Sequence, residues 1–308
     1  MSKRILVTGS SNIDLMLSTP YIPAPGETMI SDGAYAFTSG GKGANTAVAV
    51  SNLGAEAVFC SRVGDDAYGD KLLELFASKG IDTRFIRVDR LEQTGLAVVL
   101  LEKGGTNRIV VYPGANKKIN ESDIEAAFGA YPDAVMTQFE INREAIVTAA
   151  RTAAYEGLPF FVDAGPADPE FPLGKLERVE VFSPNENETE ILTGIRPNSL
   201  DNCLRASMAL CSKVDIRYVV LKLGARGCYV YDGKYCDLIS PFDVNAVDTT
   251  AAGDAFTAAL AVEYLNSGDI ISAARFANAV GALTVTRPGS LASIPTRDEV
   301  ADFIARRG

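Results

Sequence analysis

The chain has 308 residues, room for one large domain or two smaller ones, and its 47% apolar against 22% charged residues indicate a soluble globular protein. Thirty-nine acidic against 29 basic residues give a net charge of −10, so the totals offer no basic surface for nucleic acid or an anionic membrane. Histidine is absent, which removes Ser–His and Cys–His nucleophile pairs, imidazole bases and histidine metal ligands, and leaves proton chemistry to carboxylates, Lys, Tyr or Cys.

Read in chain order, the N-terminus lacks a long apolar signal core and no 18-residue apolar stretch follows, so a cytoplasmic protein is expected. Residues 5–8 predict a buried strand closing at Gly9. Residues 15–38 break the rhythm with several turn formers between Pro20 and Gly26. A glycine-rich turn at 39–45 then feeds a helix over 44–53, ended by Gly54 as its C′ residue. A strand at 58–63 and a helix at 68–79, ended by Gly80, come next. Two β-rich runs between 94 and 112 flank Gly104 and Gly105 and read as a hairpin. Ser122 with Glu125 has capping-box spacing ahead of a further helix. Strands at 135–139, 158–163, 179–183 and 218–223 follow, with a helix at 143–156 ended by Gly157. Residues 257–265 are apolar on nearly every face and predict a buried helix.

Strands alternating with helices imply an α/β fold: a doubly wound, mostly parallel sheet with helices on both faces. The two irregular stretches sit between regular units and imply a small antiparallel sheet inserted as a lid. Cys60, Cys203, Cys211, Cys228 and Cys236 show no CxxC pair, and their scatter indicates reduced thiols serving as small buried hydrophobes.

Four constellations could carry chemistry. Ser39-Gly40-Gly41-Lys42-Gly43-Ala44-Asn45 is either an ordinary tight turn or a close-approach loop with one cation and one amide; it fits neither GxxxxGK[ST] nor GxGxxG. Asp248-Thr249-Thr250-Ala251-Ala252-Gly253-Asp254 precedes the apolar helix, so its free N–H groups could meet a phosphate, or Asp254 could be capping the helix. Asn185-Glu186-Asn187-Glu188 after a strand offers oxygen ligands suited to Mg²⁺, or an acidic first turn. Lys222-Leu223-Gly224-Ala225-Arg226-Gly227 is a β-turn or a nucleotide phosphate site.

Together, and in this order, these segments resemble the ribokinase family of carbohydrate kinases from Gly9-Ser10-Ser11-Asn12-Ile13-Asp14 to Thr286-Arg287-Pro288-Gly289. The resemblance implies a single kinase domain over 1–308, with lid strands inserted at about 11–39 and 94–113. It implies transfer of the ATP γ-phosphate to the 5-hydroxyl of D-ribose; another pentose, 2-deoxyribose or a nucleoside is the alternative acceptor. A non-catalytic sugar sensor is an alternative of another class, and a structural protein with mere turns the plainest. Carried over position by position, the resemblance places Asn12, Asp14, Gly41, Lys42, Gly43, Asn45 and Glu140 around the sugar. It makes Asp254 the catalytic base, with Gly253 and Ala252 as its anion hole. Asn185, Lys222 to Gly227, Gly253 and Asn278 fall at ATP-contacting positions, and Glu188 at the Mg²⁺-associated acid. Asp248, Thr250, Thr284, Arg287, Gly289 and Ser293 match a monovalent cation site, usually for K⁺, several of them through carbonyls alone. A homodimer through the lid is the implied assembly, with no nucleic acid or membrane partner. Two departures stand out: Ala251 replaces the commoner first glycine of GAGD, and Asn278 stands where a histidine can contact adenine.

Overall fold

Alternate residues of the first strand serve opposite faces of one sheet. Ile5 and Val7 join one apolar core while Leu6 joins the other, as a strand buried on both faces requires. This computed structural model describes residues 2–102 and 107–307. The chain runs β1 (Arg4–Thr8), β2 (Asn12–Thr19), β3 (Tyr35–Gly40), α1 (Lys42–Asn52), β4 (Glu56–Gly64), α2 (Ala67–Ser78), β5 (Ile86–Asp89), β6 (Gly95–Glu102) and β7 (Asn107–Tyr112). It continues through α3 (Glu121–Phe128), β8 (Ala134–Gln138), α4 (Arg143–Glu156), β9 (Phe160–Asp163), β10 (Arg178–Ser183), α5 (Glu186–Thr193) and α6 (Leu200–Cys211). The last elements are β11 (Asp215–Lys222), β12 (Cys228–Tyr231), β13 (Cys236–Ile239), α7 (Ala252–Ser267), α8 (Ile270–Val285) and α9 (Arg297–Arg307).

The large sheet has the order β13-β12-β11-β10-β9-β8-β1-β4-β5. Its strands are parallel from β5 to β11, and β12 and β13 add an antiparallel edge. Residues of α1, α7 and α8 form the core on one face, and α3, α4 and α6 contribute to the core on the other. Helix α7 packs on both α1 and α8, which brings the first turns of α1 and α7 together above the sheet. Among the described residues no helix is long and apolar enough to cross a membrane.

The second sheet, β3-β2-β6-β7, differs from the all-antiparallel expectation: β2 and β6 pair in parallel from Asn12↔Gly95 to Thr19↔Glu102. Each of these strands leaves the large sheet in the same direction, and each turns back on its own antiparallel partner, β3 or β7. The turn expected at Gly104 and Gly105 lies outside the described residues.

Two local readings need correcting. The capping box of α3 is made by Asn120 and Asp123, not Ser122 and Glu125; Ser122 instead donates to the Asn120 side chain. The helix begins two residues earlier than the pattern implied, and Asn at the cap is as effective as Ser. All five cysteines are free, but Cys236 is exposed on the outer edge strand and only Cys60, Cys203 and Cys228 are fully buried.

Candidate active site

The first turn of α7 holds a buried carboxylate. Ala251 precedes it with φ 62°, so the backbone swings through the left-handed region and Ala252, Gly253 and Asp254 become the first three helical residues. Asp254 does not cap this helix. Its carboxylate reaches across to α1 instead: Oδ2 accepts from Asn45 Nδ2 at 2.7 Å, and Oδ1 lies 3.3 Å from Lys42 Nζ. Burial raises the pKa of Asp254; Lys42 opposes that rise and Asp163 adds to it. A carboxyl raised from its usual range is better matched to taking a proton near neutral pH.

Lys42 is the cation of a carboxylate cluster. Burial alone would lower its pKa, but Asp254, Asp163, Glu188 and Glu140 outweigh burial and hold it above the usual lysine range. The Glu140 carboxylate accepts from Ser10 Oγ and, at 3.1 Å, from the Lys42 backbone N–H. Gly41, at φ 95°, is the turn that aims this N–H, a conformation that only glycine adopts readily.

Asp14, on β2, faces the same space. Burial, with Glu140 and Asp254 nearby, raises its carboxyl to about 7. A methyl group on Gly40 would sit 2.1 Å from Asp14 Oδ2, so a side chain there would displace the carboxylate. Asn12 is held by Asn116, whose Nδ2 donates to Asn12 Oδ1 at 2.8 Å. Asn45 Oδ1 is buried with no partner among the described residues. Thus Asn12, Asp14, Gly41, Lys42, Asn45 and Glu140 converge on one polar recess, and Gly43 packs beneath it against Gly9.

On the other side of the α7 turn lies a cavity of about 610 Å³, lined by Lys222, Gly224, Ala225, Gly227, Phe242, Ala252, Gly253, Phe256 and Asn278 among others. Asn278 Nδ2 donates to the carbonyls of Ile239 and Ser240, at 3.2 and 3.0 Å. Three expected nucleotide residues, Asn185, Leu223 and Arg226, do not line this cavity. Leu223 is buried in the core, and Arg226 turns its guanidinium outward to Glu186 Oε1 and Pro197 O, each at 2.6 Å. The Glu186 carboxylate on α5 and the Pro197 carbonyl in the loop that follows capture it.

Asn185 and Glu188 form a reciprocal capping box at the start of α5: Asn185 N–H donates to Glu188 Oε2 at 2.7 Å and Glu188 N–H to Asn185 Oδ1 at 2.9 Å. Glu188 Oε1 faces Gly165 and the Lys42 ammonium and accepts from no protein donor among the described residues, so it suits a hydrated divalent cation. Burial raises the pKa of Glu188 against the pull of Lys222.

Asp248 ties two loops together. Its Oδ1 accepts from Thr250 N and Oγ1, and its Oδ2 from Gly289 N at 2.9 Å. Burial would raise its pKa, yet these donors hold it below the ordinary value, so it remains an anion. The side chains of Thr284, Arg287 and Ser293 are committed elsewhere, to Val280 O, Glu299 and Ser290 O. Only their carbonyls are available for a cation, in keeping with the carbonyl-rich coordination that large alkali ions accept.

Asn116, Ser10, Asp163 and Thr257 escaped the sequence reading. A single Asn, Ser or Thr carries no spacing signal; Asp163, closing the apolar run Phe160-Phe161-Val162, was the one visible hint.

A polar recess fit for a polyol and a cavity fit for a nucleotide, separated by one helix turn carrying a raised carboxyl, define a phosphotransferase acting on an alcohol. Residues 2–297 match the pfkB family of carbohydrate kinases, and the chain belongs to that family. It is 35% identical to a ribokinase of Haemophilus influenzae over 306 residues, 99% of each chain. It is 30% identical to a deoxyribokinase of Salmonella typhi, covering 98% of each. The fold is similar to that of Arabidopsis thaliana ribokinase, solved in complex with ribose and ATP, at a TM-score of 0.90 with 30% identity over 99% of each chain.

Proposed function

We propose that the protein transfers the γ-phosphate of ATP to the 5-hydroxyl of D-ribose, giving ribose 5-phosphate and ADP. One observation carries the reading: consecutive residues of one helix turn face the two compartments. Ala252 and Gly253 line the nucleotide-sized cavity while Asp254 is bonded from the polar recess by Asn45 and Lys42.

The sugar's hydroxyls pair with Asn12, Asp14, Asn45 and Glu140, groups that bond vicinal diols two at a time. The 5-hydroxyl oxygen attacks the γ-phosphorus, the bond to the ADP oxygen breaks, and the hydroxyl proton passes to Asp254 as the oxygen commits to phosphorus. The backbone N–H of Gly253, and that of Ala252 once it leaves the Thr249 carbonyl 3.4 Å away, meet the equatorial phosphoryl oxygens at the positive end of α7. Lys222 adds a fixed positive charge at the cavity wall. Glu188 would hold Mg²⁺ through its free oxygen, aided by Asn185, and the ion would neutralise phosphate charge. Asp248 with the carbonyls of Thr250, Thr284, Arg287, Gly289 and Ser293 would hold K⁺, steadying the loop that enters α7.

The second sheet acts as a lid that excludes water over the sugar. Its edge strand β7 exposes Ile109, Val110, Val111 and Tyr112, and a second copy of the chain covers them in a homodimer. Free thiols support a cytoplasmic location. The likeness to a deoxyribokinase supports 2-deoxyribose as the second acceptor, since a single hydroxyl contact separates the two sugars.

A coupled ADP-release assay with D-ribose, 2-deoxyribose, hexoses and nucleosides, with and without K⁺, tests the reading. Turnover is expected to be highest with ribose and to rise with K⁺. A protein that binds ribose but releases no ADP would be a sensor, and faster turnover with a nucleoside would move the acceptor assignment.

A further inference from the structure

Asp163 closes β9 beneath the site and is almost wholly buried, yet the mechanism above leaves it idle. Its Oδ2 accepts from Lys222 Nζ at 2.5 Å and from Thr257 Oγ1 at 2.7 Å. Lys222 Nζ also lies 3.4 Å from Thr257 Oγ1, and that hydroxyl lies 3.1 Å from the Gly253 carbonyl. The triangle joins β9, β11 and α7 at one point. It leaves the Lys222 ammonium beside the anion-hole turn, 3.5 Å from where a methyl group on Gly253 would stand.

Buried ion pairs contribute little net stability, because desolvation offsets their attraction. Orientation is a better reason for this one. Lysine has a flexible four-carbon stem, and a free ammonium would lose rotamer entropy and shed water each time a phosphate arrived. Held by Asp163, it meets the phosphoryl group already oriented, and charge built up in the transition state is stabilised without reorganisation.

We propose that Asp163 is a positioning residue, fixing the Lys222 ammonium and the first turn of α7 in one relation so that charge and backbone N–H groups address the same transferring phosphoryl group. This inference rests on the kinase reading. Asp163 touches neither substrate; it acts through Lys222.

Steady-state kinetics of Asp163→Asn, Lys222→Met, the double variant and Thr257→Val test it. Asp163→Asn is expected to lower kcat about 100-fold, as misplacing a reacting group by roughly an ångström does, with the sugar KM little changed. The double variant is expected to be no slower than Lys222→Met, because Asp163 has nothing left to position. Should Asp163→Asn fail to fold, Thr257→Val loses only the hydroxyl and is expected to lower kcat about 10-fold. Additive losses in the double variant, or a wild-type kcat in either Asp163→Asn or Thr257→Val, would overturn the proposal while leaving the kinase reading intact. No turnover in the wild-type protein would remove both.

Discussion

Asn45 Nδ2 lies 2.7 Å from Asp254 Oδ2, joining the first turn of α1 to the first turn of α7 across 209 positions of sequence. The bond aims the carboxylate into the recess, and with Lys42 at Oδ1 about two of its four acceptor sites stay open for a hydroxyl. Asp254→Asn keeps the shape and the packing but cannot take a proton. Its kcat is expected to fall about 10²- to 10⁴-fold, the span of general-base contributions, with a melting temperature no lower than that of the wild type. ADP release and a thermal melt on the same sample check this; near wild-type turnover in a folded variant would remove Asp254 from the base role.

That carboxylate was legible because glycines and small residues punctuate the chain just before an apolar helix. The inner strands were legible for a related reason: burial on both faces leaves continuous apolar runs such as 218–221, which lie in β11. Edge strands carry no such mark. β13 is four residues long and exposed except at Ile239, so its sequence resembles a loop. Asn116 was invisible and the role of Asp163 only hinted at, because their meaning lies in distant partners, Asn12 at 104 positions and Lys222 at 59. Arg226 shows the opposite failure: the turn was read correctly, but sequence order does not tell which way a side chain leaves it.

Lys42 is the cation shared by Asp254, Asp163, Glu188 and Glu140. Lys42→Met leaves those carboxylates with less compensation and is expected to destabilise the fold by about 3 kcal/mol. It also removes the charge that lowers the pKa of Asp254, so that pKa rises further. A base must be ionised to act, so the acid limb of the kcat/KM profile moves to higher pH. An unmoved limb would mean that Lys42 does not govern Asp254.

Asp14 reverses the usual pH dependence of a carboxyl. Its pKa rises from 3.8 to about 7 on folding, through burial and the nearby Glu140 and Asp254 carboxylates. Between those values the folded chain holds a proton that the unfolded chain has lost. Stability therefore falls as pH rises through that window, by up to about 4 kcal/mol for this group alone. Asp14→Asn removes the penalty. Its melting temperature is expected to exceed that of the wild type at pH 8 and to match it near pH 4, while sugar affinity drops. Equal melting temperatures at pH 8 would contradict the buried, raised carboxyl.

The exposed side chains of β7 predict self-association. Sedimentation at micromolar concentration is expected to give a dimer, and Ile109→Asp with Val111→Asp a monomer that hydrolyses ATP faster in the absence of sugar. A wild-type monomer would refute the lid-to-lid assembly.

Ala251 is a further point where the chain works against its own backbone preference. An L-residue at φ 62° crowds its Cβ against the following carbonyl, at a cost of roughly 1–2 kcal/mol. Glycine adopts that conformation freely, but its looser unfolded state offsets about 0.4–1 kcal/mol of the gain. The strain outweighs the entropy, so Ala251→Gly is expected to stabilise the fold by about 1 kcal/mol. Catalysis should respond differently. Ala251 restricts the turn that presents the Ala252 and Gly253 N–H groups, and glycine there lets the anion hole sample other orientations. The variant is therefore expected to melt higher yet turn over no faster than the wild type. A faster and less stable variant would mean that the alanine braces the fold and hinders the chemistry, the reverse of the relation derived from its φ.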